Sequence, residues 1–144
     1  MNSTRYRLVC AVHALVQQVA ADAGQATDCL LNPALPLGPT QDTPALFVLD
    51  RGDVLIEQPG QQEKRRCKIL LGAIAFGPDA YADADTLHFA ARGAIRRART
   101  ALVQLGRVGV LRETEVEPDF KSVQVDGETI LSALEFEYTE TYPA

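Results

Sequence analysis

Tryptophan is absent from this chain and aromatic residues make up only 6% of it, so stacking platforms for sugars or unpaired bases are scarce. Cysteine is sparse too. Cys10, Cys29 and Cys67 are odd in number, far apart and free of any CxxC pair, which excludes a small-protein disulfide framework. Reduced thiols in a cytoplasmic setting are the expectation. No apolar run approaches the ~20 residues of a bilayer span. Arg5 and Arg7 precede an apolar stretch, but His13, Gln17 and Gln18 interrupt it, so neither a signal peptide nor a membrane segment is expected. Gly72, Gly77 and Gly93 match no nucleotide-binding loop, and there is no GxSxG elbow or nucleophile motif around a cysteine. Basic residues are in the minority, 14 against 19 acidic, and the net charge of −5 opposes nucleic acid and anionic membranes outside a local basic patch.

What remains is the composition of an ordinary intracellular globular protein, 47% hydrophobic and 23% charged over 144 residues. One domain spanning residues 1–144 is expected. A chain of this size buries roughly 70% of its unfolded surface and needs no metal or disulfide to hold its core.

Two segments carry the helical period. Leu8, Val12, Leu15, Val16 and Val19 make one stripe between about Ser3 and Ala21, with Ser3 or Thr4 as cap and Gly24 as stop. From Asp83 or Asp85 to Leu105, the residues Leu87, Ala91, Ala94, Ile95, Ala98, Leu102 and Leu105 form a second stripe, and Gly106 suits the C-terminal cap. Between residues 25 and 44 four prolines break both periods. The expectation there is an irregular connection in which Cys29–Leu31 pairs briefly with a sheet edge.

The rest reads as strand. Ala45–Asp50 and Val54–Gln58 flank Arg51-Gly52-Asp53, a turn signal, so these two segments are expected to form a hairpin. Pro59–Lys64 reads as a polar tip. Arg65–Phe76 is a long strand whose uncharged half belongs at the sheet centre, ended by Gly77-Pro78-Asp79. In Val108–Glu117 the alternation slips near Val110–Leu111, the signature of a bulge. Val123–Val125 and Ile130–Tyr138 flank Asp126-Gly127, a hairpin signal. Ile130, Leu134, Phe136 and Tyr138 share one face of the closing strand, and Ala133, Glu135 and Glu137 the other. The fold class expected is α+β: an antiparallel or mixed sheet of about 5–6 strands, with two main helices packed on one face.

Candidate chemistry is thin. Cys10 and His13 share a helix but lack the further ligands of a structural zinc site, and His88 near Asp85 reads equally well as a surface histidine. No catalytic, cofactor or metal site is expected. Charge is arranged more tellingly. Arg92, Arg96 and Arg99 fall on one helical face, Lys64-Arg65-Arg66-Lys68 forms a second basic cluster, and Glu113, Glu115, Glu117 and Asp119 concentrate the opposite sign. A chain with a basic and an acidic surface suits head-to-tail contact between copies. A solvated helix face remains the plain alternative for the arginines.

The long strand Arg65–Phe76, the Gly-Pro-Asp break, the Ala/Arg-rich helix and the Val-Asp-Gly-Glu hairpin leading into Leu134-Glu135-Phe136-Glu137-Tyr138 together resemble the tail terminator (tail completion) proteins of long-tailed bacteriophages. The likeness covers most of the chain. It implies an α+β subunit of a homo-hexameric ring that caps the tail tube and offers the head a joining surface. Its partners are then copies of itself, the tube protein and head–tail connector proteins. Its place is the head-proximal end of the virion tail, after assembly in the host cytoplasm. Arg92, Arg96, Arg99, Glu113 and Glu115 are the expected subunit contacts. Gln58, Gly60, Gln61, Gln62 and Lys64, at the hairpin tip, are the expected docking residues for tail partners. Two other readings stay open: a head–tail joining or other minor tail protein, and a small enzyme or ligand-binding domain using His13, His88 and Cys67.

Overall fold

A computed structural model describes residues 2–34, 43–106, 110–114 and 127–142, with 110–114 described at the level of the backbone. In chain order the elements are α1 (Thr4–Asp22), β1 (Asp28–Leu31), β2 (Ala45–Glu57), β3 (Gln62–Ala75), α2 (Ala80–Arg97), α3 (Arg99–Gly106), β4 (Val110–Thr114) and β5 (Glu128–Thr141).

Helix α1 begins where the Ser3 hydroxyl accepts the Tyr6 N–H at 3.1 Å, satisfying one of the unpaired donors of the first turn. Its stripe of Leu8, Val9, Val12, Val16 and Ala20 is buried. Each of the larger side chains contributes about 1.5–3 kcal/mol by leaving water. An aspartate at Val12, fully buried, would place an unpaired charge in that seam. The helix ends at Ala23, which turns to extended backbone one residue before the expected Gly24.

The described strands form one sheet in the order β1-β2-β3-β5-β4. Strand β1 runs parallel to β2, and every other pairing is antiparallel, so this α+β fold is built on a mixed sheet rather than an antiparallel one. Parallel neighbours cannot be joined by a tight turn, and the proline-rich stretch lies between these two in sequence, with residues 35–42 outside the described residues. The short pairing expected at Cys29–Leu31 is β1 itself.

Arg51-Gly52-Asp53 is not a hairpin turn. Strand β2 passes straight through it, and both halves pair with β3. One extra β2 residue sits between the Asp50–Ile69 and Asp53–Cys67 pairs, with Gly52 at φ 82° and its N–H held by the Asp50 carboxylate at 2.9 Å. This is a glycine-led bulge. It shifts the alternation of β2 by one residue, so that Asp50 and Asp53 project to the same side. The true hairpin tip is Gln58–Gln61, where Gly60 has φ 67° and the Gln62 N–H reaches the Pro59 carbonyl at 3.3 Å. Gln62, Glu63 and Lys64, read as part of the tip, already belong to β3.

The second helical stretch is two helices. It starts at Ala80, earlier than Asp83, after Gly77 at φ 92°, and it breaks at Ala98 before α3 begins. The break keeps Leu102 buried but turns Leu105 outward, against the expected single stripe. Strand β4 pairs with β5 from Val110–Glu137 to Thr114–Ala133 with no register shift, so among the described residues the bulge expected near Val110–Leu111 is not seen. Residues 108–109, 115–117, 119 and 123–126, including Glu115 and the Asp126 turn position, lie outside the described residues.

The main core joins α1, α2 and α3 to one face of the sheet, through Leu46 and Val48 of β2, Cys67, Ile69 and Leu71 of β3, and Leu134, Phe136 and Tyr138 of β5. The alternation expected for β5 is thus observed. On the opposite face a smaller cluster gathers Phe47, Leu49, Leu70 and Ala133, with Leu30 and Leu131 at its margin.

Candidate assembly surfaces

The sheet is unevenly finished at its edges. Strand β1 covers β2 only from Ala45 to Val48. Asn32, at φ 50°, then closes the pairing: its N–H donates to the Val48 carbonyl at 2.8 Å and its side-chain oxygen accepts the Asp50 N–H at 2.7 Å. Beyond Asp50 no described residue pairs with the outer edge of β2. That stretch exposes Val54 (58%), Leu55 (49%) and Ile56 (39%). On the other side β4 covers β5 only from Ala133 to Glu137, and no described strand lies beyond Tyr138. Among the described residues, both uncovered edges therefore sit at the same end of the sheet, beside the exposed Gln58, Gly60 and Gln61 of the tip and Gln62 and Lys64 of β3. An uncovered apolar edge is a ready template for another strand.

This end is braced by a cluster of charges. Arg5 of α1 reaches Asp50 at 3.2 Å and Asp53 at 3.3 Å, which the bulge sets on one side. Arg65 donates to both oxygens of Asp53, at 3.0 and 3.1 Å, and the Tyr138 hydroxyl donates to the same carboxylate. Burial pushes the Asp53 carboxyl up, but the hydrogen bonds from Arg65 and Tyr138, with the charges of Arg65 and Arg5, outweigh it and hold the group below its ordinary value. Burial, then the Asp53 bond, pushes the Tyr138 phenol up. Thr4 donates backbone and side-chain hydrogen bonds to Glu140, tying the start of α1 to the end of β5.

The expected basic cluster at 64–68 is largely neutralised within the chain. Arg65 serves Asp53 and Glu63, and Arg66 pairs with Glu137 across the strands at 2.7 Å. The arginine face is also altered. Ala98 separates Arg99 from the helix carrying Arg92 and Arg96, so the three do not share one uninterrupted face. Arg92 packs its guanidinium over the Phe89 ring, 5.6 Å from the centroid. Glu113 lies on β4 opposite Leu134, and Glu115 is outside the described residues.

Three concavities border described residues. A groove of about 860 Å³ runs between the end of α1 and α2, over Val19 and Leu87. An apolar crevice of about 410 Å³ separates α1 from α3. A shallow depression of about 240 Å³ lies at the bulge, beside Cys67. His13 and His88 line none of them. His88 is buried under α2 and hydrogen-bonds Ser132 at 2.9 Å. Ser132 is opposite Leu71, four positions along β3 from Cys67, or roughly 13 Å at strand spacing. His88 and Cys67, two of the three residues of the enzyme reading, are therefore not brought together. Burial pushes the thiols up, Cys29 to about 11 and Cys67 to about 12, away from nucleophile chemistry. Among the described residues no group of three or more His, Cys, Asp or Glu side chains is placed to hold a metal, and no helix is long and apolar enough to cross a membrane.

The sequence pairs Val54–Gln58 with Ala45–Asp50 as a hairpin, a reading that does not reach the outer edge of β2. The only available signal was the short, proline-flanked β1. Compared with known proteins, the chain matches neither a protein-family model nor a curated protein sequence.

Proposed function

We propose that this chain is a structural subunit of a long-tailed phage or prophage. It acts as a tail terminator that closes into a homo-hexameric ring on the head-proximal end of the tail tube, stops tube growth and presents the surface to which head–tail connector proteins join. The observation that carries this reading is the pair of sheet edges left unpaired among the described residues at one end of the sheet, one of them apolar. The two edges are different surfaces, so a contact between them is head-to-tail and closes a ring when the rotation permits. Strands β2 and β5 both run antiparallel to β3, so in such a ring they meet as parallel neighbours. Arg92, Arg96 and Arg99 add contacts to Glu113 and Glu115 of the next subunit, and Gln58, Gly60, Gln61, Gln62 and Lys64 reach the tube. The resemblance of the sequence to tail terminators, an expectation from its layout, suggests the biological setting.

The test is negative-stain microscopy and sedimentation of the purified chain with tail tubes. The wild type is expected to cap one tube end as a ring and to block further addition of tube subunits. Leu55→Lys, at the open edge, is expected to lose the ring while keeping its fold. Tubes that elongate unchanged in excess wild-type protein, with no protein at their ends, would overturn the reading.

A further inference from the structure

We infer that α2 is a two-fold docking face for a second copy of this chain. The groove-facing flank of the helix carries Asp83, Thr86, Ala90, Gly93 and Arg97 in one line, with Asp83 and Gly93 half-buried and the others exposed, at the alternating three- and four-residue spacing that keeps helical residues on a stripe. All five border the groove whose floor holds Val19 and Leu87. Asp83 and Arg97 stand seven residues to either side of Ala90, about 10.5 Å along the axis in each direction. Turning the helix end for end about Ala90 therefore exchanges the acidic end with the basic one and Thr86 with the Gly93 region. The stripe is complementary in charge and shape to an antiparallel copy of itself.

Two further observations favour that occupant. None of the ion pairs among the described residues uses Asp83 or Arg97. The Arg97 guanidinium instead lies along Gly93, where an added Cβ would come within 3.3 Å of its Nη1. Phe89, 66% exposed, stands at the lip of the groove with Arg92 against its ring. In the two-fold pair, Ala90 meets Ala90 at the axis and the small residues let the backbones approach. Phe89 of each copy enters the other's groove, and Asp83 meets Arg97 at both ends. Such a contact uses one patch on both partners and closes at two. A single helix pair sits near the small end of specific interfaces, roughly 1,000 Å², so the association is weak and salt-sensitive. It does not rest on the ring reading, whose carrying contact is between sheet edges and which takes from α2 only Arg92 and Arg96, outside this stripe; in chains that form rings, the same contact joins rings in pairs.

Sedimentation velocity from micromolar to millimolar concentration tests it, on the wild type, Asp83→Arg, Arg97→Asp and an equimolar mixture of the two variants. The wild-type mass is expected to double with concentration, from whatever unit the sheet edges set. Each single reversal opposes like charges at both ends and is expected to weaken doubling at least roughly tenfold. Mixing the variants is expected to restore it, because one then presents two positive ends and the other two negative ones. Phe89→Ser, at an exposed position, is expected to weaken doubling to a similar degree and serves if a reversal variant fails to fold. Leu55→Lys is expected to leave it intact, which separates this contact from the ring. Constant wild-type mass, a Phe89→Ser variant that doubles like the wild type, or folded reversal variants whose mixture stays undoubled overturns the inference.

Discussion

Gly72 is the position at which one methyl group should do the most damage. It lies directly opposite Phe47 in the β2–β3 ladder, on the sheet face that carries the smaller apolar cluster. A Cβ there would come within 2.1, 2.4 and 2.6 Å of three atoms of the Phe47 ring. Ordinary contact begins near 3.4 Å, so the ring must move by more than 1 Å. It has little room to do so, being fully buried against Leu49, Leu70 and Ala133. Overpacking of this kind costs about 1–3 kcal/mol, and expulsion of the ring from the cluster adds up to about 3 kcal/mol of lost burial. Gly72→Ala is therefore expected to destabilise the fold by about 3 kcal/mol, or roughly 10 °C in Tm for a chain of this size. Urea unfolding of Gly72→Ala, Phe47→Leu and the double variant isolates the cause. Leucine removes the ring atoms that collide, so the double variant should be at least ~1 kcal/mol more stable than the sum of the singles implies. Additivity within ~0.5 kcal/mol, the behaviour of independent sites, would refute the proposed clash.

Two further outcomes follow from the half-buried Asp53 and the buried Cys67. Asp53→Asn removes the charge that Arg65 and Arg5 face and is expected to cost about 2 kcal/mol at pH 7. Because the folded carboxyl titrates below its unfolded value near 3.8, the stabilisation is fully present above that value and is lost as pH falls through the folded value. The wild type and variant should therefore converge in urea midpoint between pH 5 and pH 2, and a gap that widens in acid contradicts the assignment. Cys67, fully buried, should resist a thiol reagent at pH 8 in the folded protein and react only after unfolding, which mass spectrometry of labelled protein reads directly.

The helices were legible where burial follows a simple period. Leu8, Val12 and Val16 announce α1, and Ser3 its start, because cap and stripe are local. In β5, alternation separates Leu134, Phe136 and Tyr138 from Ala133, Glu135 and Glu137 for the same reason. Arg51-Gly52-Asp53 misled because a bulge and a turn draw on the same residues. Only the length of β3, long enough to pair with both halves of β2, tells them apart. The break at Ala98 has neither glycine nor proline to mark it. For the candidate surfaces, the charges were visible but their neighbours were not. Arg65 and Arg66 read as a basic patch until Asp53, Glu63 and Glu137 are placed beside them. The groove beside α2 depends on where α1 ends in space, which no local pattern encodes.

Asn32 has a consequence for any strand that joins β2. By taking the Val48 carbonyl and the Asp50 N–H for itself, it works as a buffer stop on a rail: a newcomer can lie alongside the exposed track beyond Asp50 but cannot slide further in. The newcomer's sliding freedom shrinks to the few residues up to Glu57, and its alignment is decided before any side chain is consulted.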